Sequence, residues 1–267
     1  MVLSHRSLHA PVANISRTRR VIDFIFDHIR ENELSIGAAL PSELRTSTQL
    51  NISRSIVREA FRSLEVAGII EKENGRAPKV GPLNSSFLTR LLVHALSTKQ
   101  ISVKQVLALR SSVEVSAAEH AAKRRSRSDI LRLREATAGM RQSIKKPEAF
   151  VLHDLDFHDL INRASGNPLV ELICEAMHEC MQESMRVGLL KRRSQRDILK
   201  VVEIHEAIAD AIAQGDAAKA GICMNKHFED TQRVFSHVHE SEVSAPLEMK
   251  RTRADLYSQK HHVSKLR

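Results

Sequence analysis

The N-terminal third of the chain alternates short apolar stripes with turn signals. Val21, Ile22, Ile25, Phe26 and Ile29 recur at three- and four-residue steps, so a helix is predicted from about Ile15. The pattern fades at Glu31-Asn32-Glu33, near Gly37. Leu40-Pro41-Ser42-Glu43 then reads as a turn opening a short helix that ends around Leu50-Asn51. Ser53 suits the N-cap of a third helix, where its hydroxyl would accept a first-turn N–H. Ile56, Val57, Ala60, Phe61 and Leu64 form that helix's inward stripe, and Gly68 stops it. Two short strands follow, about Ile69–Lys72 and Lys79–Val80, joined through Glu73-Asn74-Gly75-Arg76. Asn-Gly tolerates the positive φ of a hairpin turn. Three short helices and a β-hairpin are the element order of a winged helix-turn-helix, which Gly81-Pro82 closes.

From residue 84 onward the period is helical throughout. Helices are predicted at roughly 84–98, 102–125, 127–144, 148–165, 168–190, 195–214 and 217–239. Breaks fall at Lys146-Pro147, Gly166-Asn167-Pro168 and Gly215-Asp216. At the last, Gly215 suits a C-terminal left-handed position and Asp216 an N-cap. The expected architecture is therefore mainly α. A winged domain over 14–82 precedes an all-helical antiparallel bundle over 83–240. Residues 1–13 have no period and read as disordered; 241–267 read as a mobile basic tail.

Composition narrows the classes. The 267 residues are 42% hydrophobic and 27% charged, enough apolar content to bury a core. No apolar run reaches membrane-spanning length, and the first residues lack a signal-peptide pattern, so a cytoplasmic protein is expected. Three cysteines (Cys174, Cys180 and Cys223) at no metal or redox spacing read as reduced thiols. The net charge of +9 is spread evenly: basic and acidic groups number 12 and 9 over 1–82, 23 and 20 over 83–240, and 6 and 3 over 241–267. Any case for nucleic acid must therefore rest on where particular arginines point.

Arg54 and Arg58 lie four apart on the third helix, opposite its inward stripe and near its N-terminal end. A recognition helix needs that placement, because its first turns enter the major groove, where arginine bonds guanine O6 and N7 in pairs. Ser53 and Ser55 are placed for phosphate at the helix N-terminus. Two outward arginines alone would be ordinary solvated charges; the preceding helix and the Asn-Gly hairpin are what favour DNA. Residues 40–80 resemble the DNA-binding domain of the GntR family of bacterial transcription regulators. The resemblance is carried by Leu40-Pro41-Ser42-Glu43, Ile52-Ser53-Arg54, Val57-Arg58-Glu59-Ala60, Leu64 and Gly68. It implies DNA contacts by Arg45, Ser53, Arg54, Ser55 and Arg58 and by the wing residues Asn74, Gly75 and Arg76. The chain departs from the family at Leu44, where Arg is usual, at Thr46-Ser47 in place of Leu-Ala, and at Ala77 in place of a second wing glycine.

In the helical half, Asp154 and His158 share one helix face, and His205 and His227 sit mid-helix among apolar residues. One carboxylate and three imidazoles from three helices can hold a divalent first-row metal with open positions. The plainer alternative is a set of satisfied core histidines among the 14 in the chain. Residues 84–239 resemble the FCD effector domain of FadR-type members of the same family. The matching stretches are Leu109-Arg110 with Glu114, Asp154 with Phe157-His158, Ser165-Gly166-Asn167, His205 with Ala207 and Ala211, Gly215-Asp216, and His227. That resemblance implies a metal held by Asp154, His158, His205 and His227, zinc first, with nickel or manganese as alternatives. It also implies a small organic acid effector that completes the coordination. Arg110 is the candidate second anchor for that acid, set against a purely structural ion pair with Glu114. Asn167 is a further candidate effector contact, set against a helix cap. Lys191-Arg192-Arg193 reads as a solvated loop. The expected partners are a second copy of the chain, a near-palindromic double-stranded operator and the acid, with no membrane; the expected role is a repressor. The competing function is a metal-dependent enzyme using the Asp/His site for hydrolase or oxygenase chemistry. It leaves residues 40–80 unexplained.

Overall fold

The computed structural model describes residues 17–73, 76–192 and 194–236. The expectations for 1–13, for 241–267 and for Asn74-Gly75 lie outside the described residues. The chain divides into two compact units, Met1–Phe87 and Leu88–Arg267.

In the first unit, α1 spans Arg17–Glu31, α2 Glu43–Leu50 and α3 Arg54–Val66, followed by β1 (Ile70–Glu71) and β2 (Lys79–Val80). The strands pair antiparallel, Ile70 opposite Val80 and Glu71 opposite Lys79. The segment before α2 extends this small sheet, since Leu40 N–H donates to Pro78 O and Val80 N–H to Ala38 O. Asn51 turns the chain between α2 and α3 in the left-handed region (φ 52°), a conformation asparagine tolerates. Val21, Ile25, Leu40, Ile52, Val57, Ala60, Phe61, Leu64 and Ile70 make one core. Ile56 only packs against its edge, and Phe26 is exposed. The remaining stripe residues face the core as the spacing predicts. Gly68 ends the α3 turn with φ 74°, as a residue without Cβ can.

The second unit is built from α4 (Ser86–Ser97), α5 (Val103–Arg124), α6 (Arg127–Gln142), α7 (Pro147–Ala164), α8 (Pro168–Leu190), α9 (Gln195–Gln214) and α10 (Ala217–Phe235). The sequence signals explain the ends. Ser102 and Ser126 form reciprocal capping boxes with Gln105 and Asp129. Pro147 and Pro168 occupy first turns, where a missing N–H loses nothing. Gly215 takes φ 78° after α9, and Asp216 accepts from Lys219 N–H to open α10. Core side chains such as Leu133, Phe157, Met177, Ile208 and Met224 come from α6 through α10 and form one cluster with those of α5. Among the described residues no helix is long and apolar enough to cross a membrane.

Candidate metal centre and nucleic-acid interface

The inner face of α7 carries Phe150, Val151, Asp154, Leu155, Phe157, His158 and Ile161, all buried. Two ionisable groups on so apolar a face demand partners, because an uncompensated buried charge is costly. The partners come from the helices packed around it. His158, His205 on α9 and His227 on α10 bring one ring nitrogen each to within 4.8 Å of one another. The rings of His205 and His227 lie 4.5 Å apart, and those of His158 and His227 4.9 Å. Phe157 packs edge-on against His205 at 5.0 Å and fixes its plane.

The outer ring nitrogens show which way each imidazole faces. His205 Nδ1 lies 2.7 Å from Val201 O and so carries the proton as donor. Its Nε2 then points inward, 3.0 Å from Asp154 Oδ1 and with no hydrogen-bond partner. Two electron-rich atoms at that distance need a cation between or beside them, either a proton or a metal. His158 repeats the arrangement. Its Nδ1 lies 2.5 Å from Glu114 Oε2, a charge contact bent away from ideal hydrogen-bond direction. Its Nε2 is buried without a partner. A carboxylate behind an imidazole is how metal-binding histidines are commonly oriented. These unpartnered nitrogens fit a metal ion, and the three histidines could hold one.

Electrostatics keep the ligands in metal-ready form. Burial pushes the His227 pKa well below the usual imidazole value, reinforced by His205 and His158. Burial also lowers that of His158, against the opposing pull of Glu114. For Asp154 burial works in the raising direction, but His205, His158 and His227 outweigh it and hold the carboxyl ionised. Glu114 is likewise held well below the carboxylate range. Its burial is overcome by Arg110, His158 and His178.

His178 and Asp159 are absent from the sequence-level reading. His178 on α8 sets Nε2 2.9 Å from Glu114 Oε1 and Nδ1 2.7 Å from Asp159 Oδ1. Acid on both sides raises its pKa to about 9, although burial and Arg110 act the other way. A chain of contacts thus runs from His158 through Glu114 and His178 to Asp159. No spacing rule could have found it, because α8 offers His178 inside the stripe of Cys174, Met177 and Met181.

Arg110 is 2% exposed and lies on α5. Its Nε donates to Glu114 Oε1 at 2.8 Å, so the structural ion pair exists. Its Nη1 has only the Met185 sulfur at 3.8 Å, and Nη2 is buried without a partner. The two sequence-level alternatives are therefore compatible: one edge of the guanidinium is paired and the other is unspent. Arg110, Asp154 and His227 line the same cavity, of about 60 Å³. Asn167 is not among the cavity's lining residues. It is exposed, and its Oδ1 accepts Leu169 N–H at 3.0 Å to cap α8. Arg192 departs from the expected solvated loop. Its side chain is 11% exposed, donates to Asp230 Oδ2 at 2.6 Å and lines the cavity.

In the first unit, Arg45, Ser53, Arg54, Ser55, Arg58 and Arg76 are all exposed. Ser53 occupies the N-cap position of α3 but makes no capping hydrogen bond. Its hydroxyl pairs instead with Ser55 Oγ at 3.1 Å, leaving first-turn N–H groups open at that helix end. Arg58 Nε reaches Glu43 Oε2 at 3.4 Å, and Glu43 also pairs with Lys72. One carboxylate thus ties α2, α3 and the start of the wing together. Lys72 and then Arg58 hold the Glu43 pKa low against slight burial. Arg76 pairs with Glu73 in the wing.

Two family profiles match the chain: "Bacterial regulatory proteins, gntR family" over residues 17–80 and "FCD domain" over 105–230. The chain belongs to the GntR family, and its helical unit is an FCD domain. The HTH-type transcriptional regulator LutR of Bacillus subtilis is 28% identical over 219 residues, covering 80% of this chain and 99% of LutR. The galactonate operon transcriptional repressor of Escherichia coli is 26% identical over 216 residues, covering 77% of this chain and 91% of the repressor. The solved structure of Streptococcus agalactiae GntR superposes with a TM-score of 0.57 at 22% identity, over 81% of this chain and 99% of that one, which shows the shared fold. This GntR-family chain is a transcription regulator with an FCD effector domain.

Proposed function

We propose that the protein acts as a homodimer on a near-palindromic double-stranded operator, as a repressor gated by a small organic acid bound at a metal in the FCD domain. Asp154, His158, His205 and His227 hold a divalent first-row ion, zinc first. Arg110 takes the acid's carboxylate beside it. Arg45, Ser53, Arg54, Ser55, Arg58 and the wing around Asn74, Gly75 and Arg76 meet the DNA. Two copies are expected because one recognition helix reads only a few base pairs.

The observation that carries the reading is the cavity's inner end. The unspent guanidinium edge of Arg110 shares the cavity with Asp154 and His227, and the unpartnered ring nitrogens of His158 and His205 lie beside His227. Such a set suits an anion bridging metal and arginine. Gating follows if the acid binds one state of the dimer better than the other. The likeness to the E. coli galactonate operon repressor supports a metabolite-linked repressor.

The test pairs the parent with His205→Ala. Native mass measurement should give a dimer with one zinc per chain for the parent and a dimer largely without zinc for the variant. Losing a ligand should weaken zinc binding by more than about 100-fold, since outer partners alone are worth 10–100-fold. Operator binding should persist in the variant while its response to added organic acids is lost. An unchanged response in the zinc-free variant would remove the metal from the gating step.

A further inference from the structure

The FCD cavity is small, and its polar equipment is confined to one end. About 60 Å³ is far below the ~300–1,000 Å³ of sites that take drug-sized ligands. At the inner end stand Asp154, His227 and the unspent edge of Arg110. The rest of the wall is largely Phe150, Val151, Leu189, Val201, Val234 and Phe235. Two further polar side chains line the wall, each with one bond of its own. Thr231 Oγ1 donates to His227 O at 3.0 Å, and Arg192 donates to Asp230. Phe235 closes down on Gly188, where even a methyl group would sit 2.9 Å from the ring. The wall therefore cannot be widened on that side without moving the aromatic.

We infer that the cavity selects a short monocarboxylic acid with an apolar tail and rejects polyhydroxylated acids of the galactonate type. The inference rests on the metal-and-arginine reading above and adds the tail. A carboxylate at the inner end satisfies Arg110 and the metal site. Each further carbon then meets methyl groups and aromatic edges, which favour hydrocarbon. A hydroxyl set against Val151, Leu189 or Val201 gives up water and meets only hydrocarbon, a loss of about tenfold or more in affinity per group. Galactonate carries several such hydroxyls and a longer chain. Its recognition would require polar side chains where this chain has Val151, Leu189 and Val201.

The experiment is calorimetric titration of zinc-loaded, full-length protein with butyrate, D-galactonate and the neutral butanamide. Butyrate should bind at least about 100-fold more tightly than galactonate, the factor expected from two unmet hydroxyls, and at least about tenfold more tightly than butanamide, which lacks the charge that pairs with Arg110. Galactonate binding as tightly as butyrate would overturn the selectivity while leaving an acid at the metal. Butanamide matching butyrate would overturn the carboxylate anchor. Failure of both acids on protein that still holds zinc would bring down the effector reading itself, a result distinct from the other two. Leu189→Asn, nearly isosteric, places an amide in the wall. It should narrow the butyrate-to-galactonate ratio about tenfold, the worth of one satisfied hydroxyl. An unchanged ratio would show that the wall does not set the preference.

Discussion

The two units handle charge in opposite ways. Among the described residues of the winged unit no charged side chain is buried, and Arg45, Arg54 and Arg58 stand in solvent. The ion pairs around Glu43 and Glu73 lie at the surface, where each is worth little. That economy suits a surface meant to exchange its partners for phosphates and bases. In the FCD unit, Arg110, Glu114, His158, His178 and His205 are within 2% of complete burial; Arg110, His158 and His178 pair with Glu114, and His205 pairs with Asp154. Buried ion pairs contribute little net stability, yet breaking one is severe. The contrast teaches where each unit is fragile. Removing a charge from the DNA-reading face should change binding alone, whereas removing one from the FCD interior should change folding as well.

The largest effect is expected from Glu114→Ala. It strips the partner from fully buried Arg110 and from both His158 and His178. A loss of about 3–5 kcal/mol is expected for a buried pair broken on one side. The loss should fall on the FCD unit, because the winged unit has its own core. Chemical denaturation followed by domain-specific probes should therefore separate into two transitions in the variant. A single transition shifted for both units would break the comparison.

The same contrast predicts a two-sided pH dependence for the metal-free FCD unit. His158 and His227 have lowered pKa values, so the folded state resists their protonation. Their neutral burial favours folding fully above the ordinary value of 6.5, and that contribution is lost as pH falls below it. Asp154 and Glu114, held low, lose stabilising charge in the same acid direction as protons reach them. His178 has the opposite sign. Raised from 6.5 to about 9, it contributes fully below 6.5, and that contribution fades as pH rises through about 9. Thermal melts across pH should show FCD stability falling on both the acid and the alkaline side. His178→Asn should flatten the alkaline limb only; a limb that stays would assign it to another group.

Arg58→Ala tests the exposed side of the comparison. The expected loss is about 1–3 kcal/mol on the specific operator, the worth of a base-edge arginine contact. Random DNA should lose far less, and FCD stability should not change. Equal losses on both DNAs, measured by anisotropy at fixed salt, would reduce Arg58 to a phosphate contact. Its pairing with Glu43 would then be the main thing it does.

Most of the fold was legible in the chain because its breaks are chemical. Gly166-Asn167-Pro168, Lys146-Pro147 and Gly215-Asp216 end and open helices whatever the tertiary setting, and the structure breaks at those residues. The three candidate histidines lie within 4.8 Å of one another, with Asp154 beside His205, since i,i+4 spacing and mid-helix burial are local properties. What escaped depends on contacts across helices. His178 lies within an apolar stripe of α8, and only Glu114 and Asp159, brought beside it from other helices, tie it to the site. Arg192 looked solvated because a loop charge usually is, and only the approach of Asp230 on α10 draws it inward. Ser53 differs from the expected cap on a finer scale. Its backbone is at the cap position, but Ser55 captured its hydroxyl.

The smallest expected effect comes from Leu44, the departure from the family at the start of α2. Leu44 is 53% exposed, directly between Glu43 and Arg45, on the unit that meets DNA. An apolar side chain there covers nothing and neutralises no phosphate. Leu44→Arg should add one cationic contact within reach of the backbone. The gain should be modest, up to about 1 kcal/mol, because a single exposed charge is well solvated before binding. It should be nearly independent of base sequence, since phosphate contacts carry no sequence information directly. It should also steepen the dependence of log affinity on log salt by about one unit per half-site. Operator and random DNA should therefore strengthen together, with the ratio between them kept. Should the operator alone gain, Arg at position 44 would be reading a base edge, and α2 would share recognition with α3. Should neither gain, Glu43 would be holding the new arginine as it holds Arg58, and the tie between α2, α3 and the wing would outweigh the pull of the phosphates.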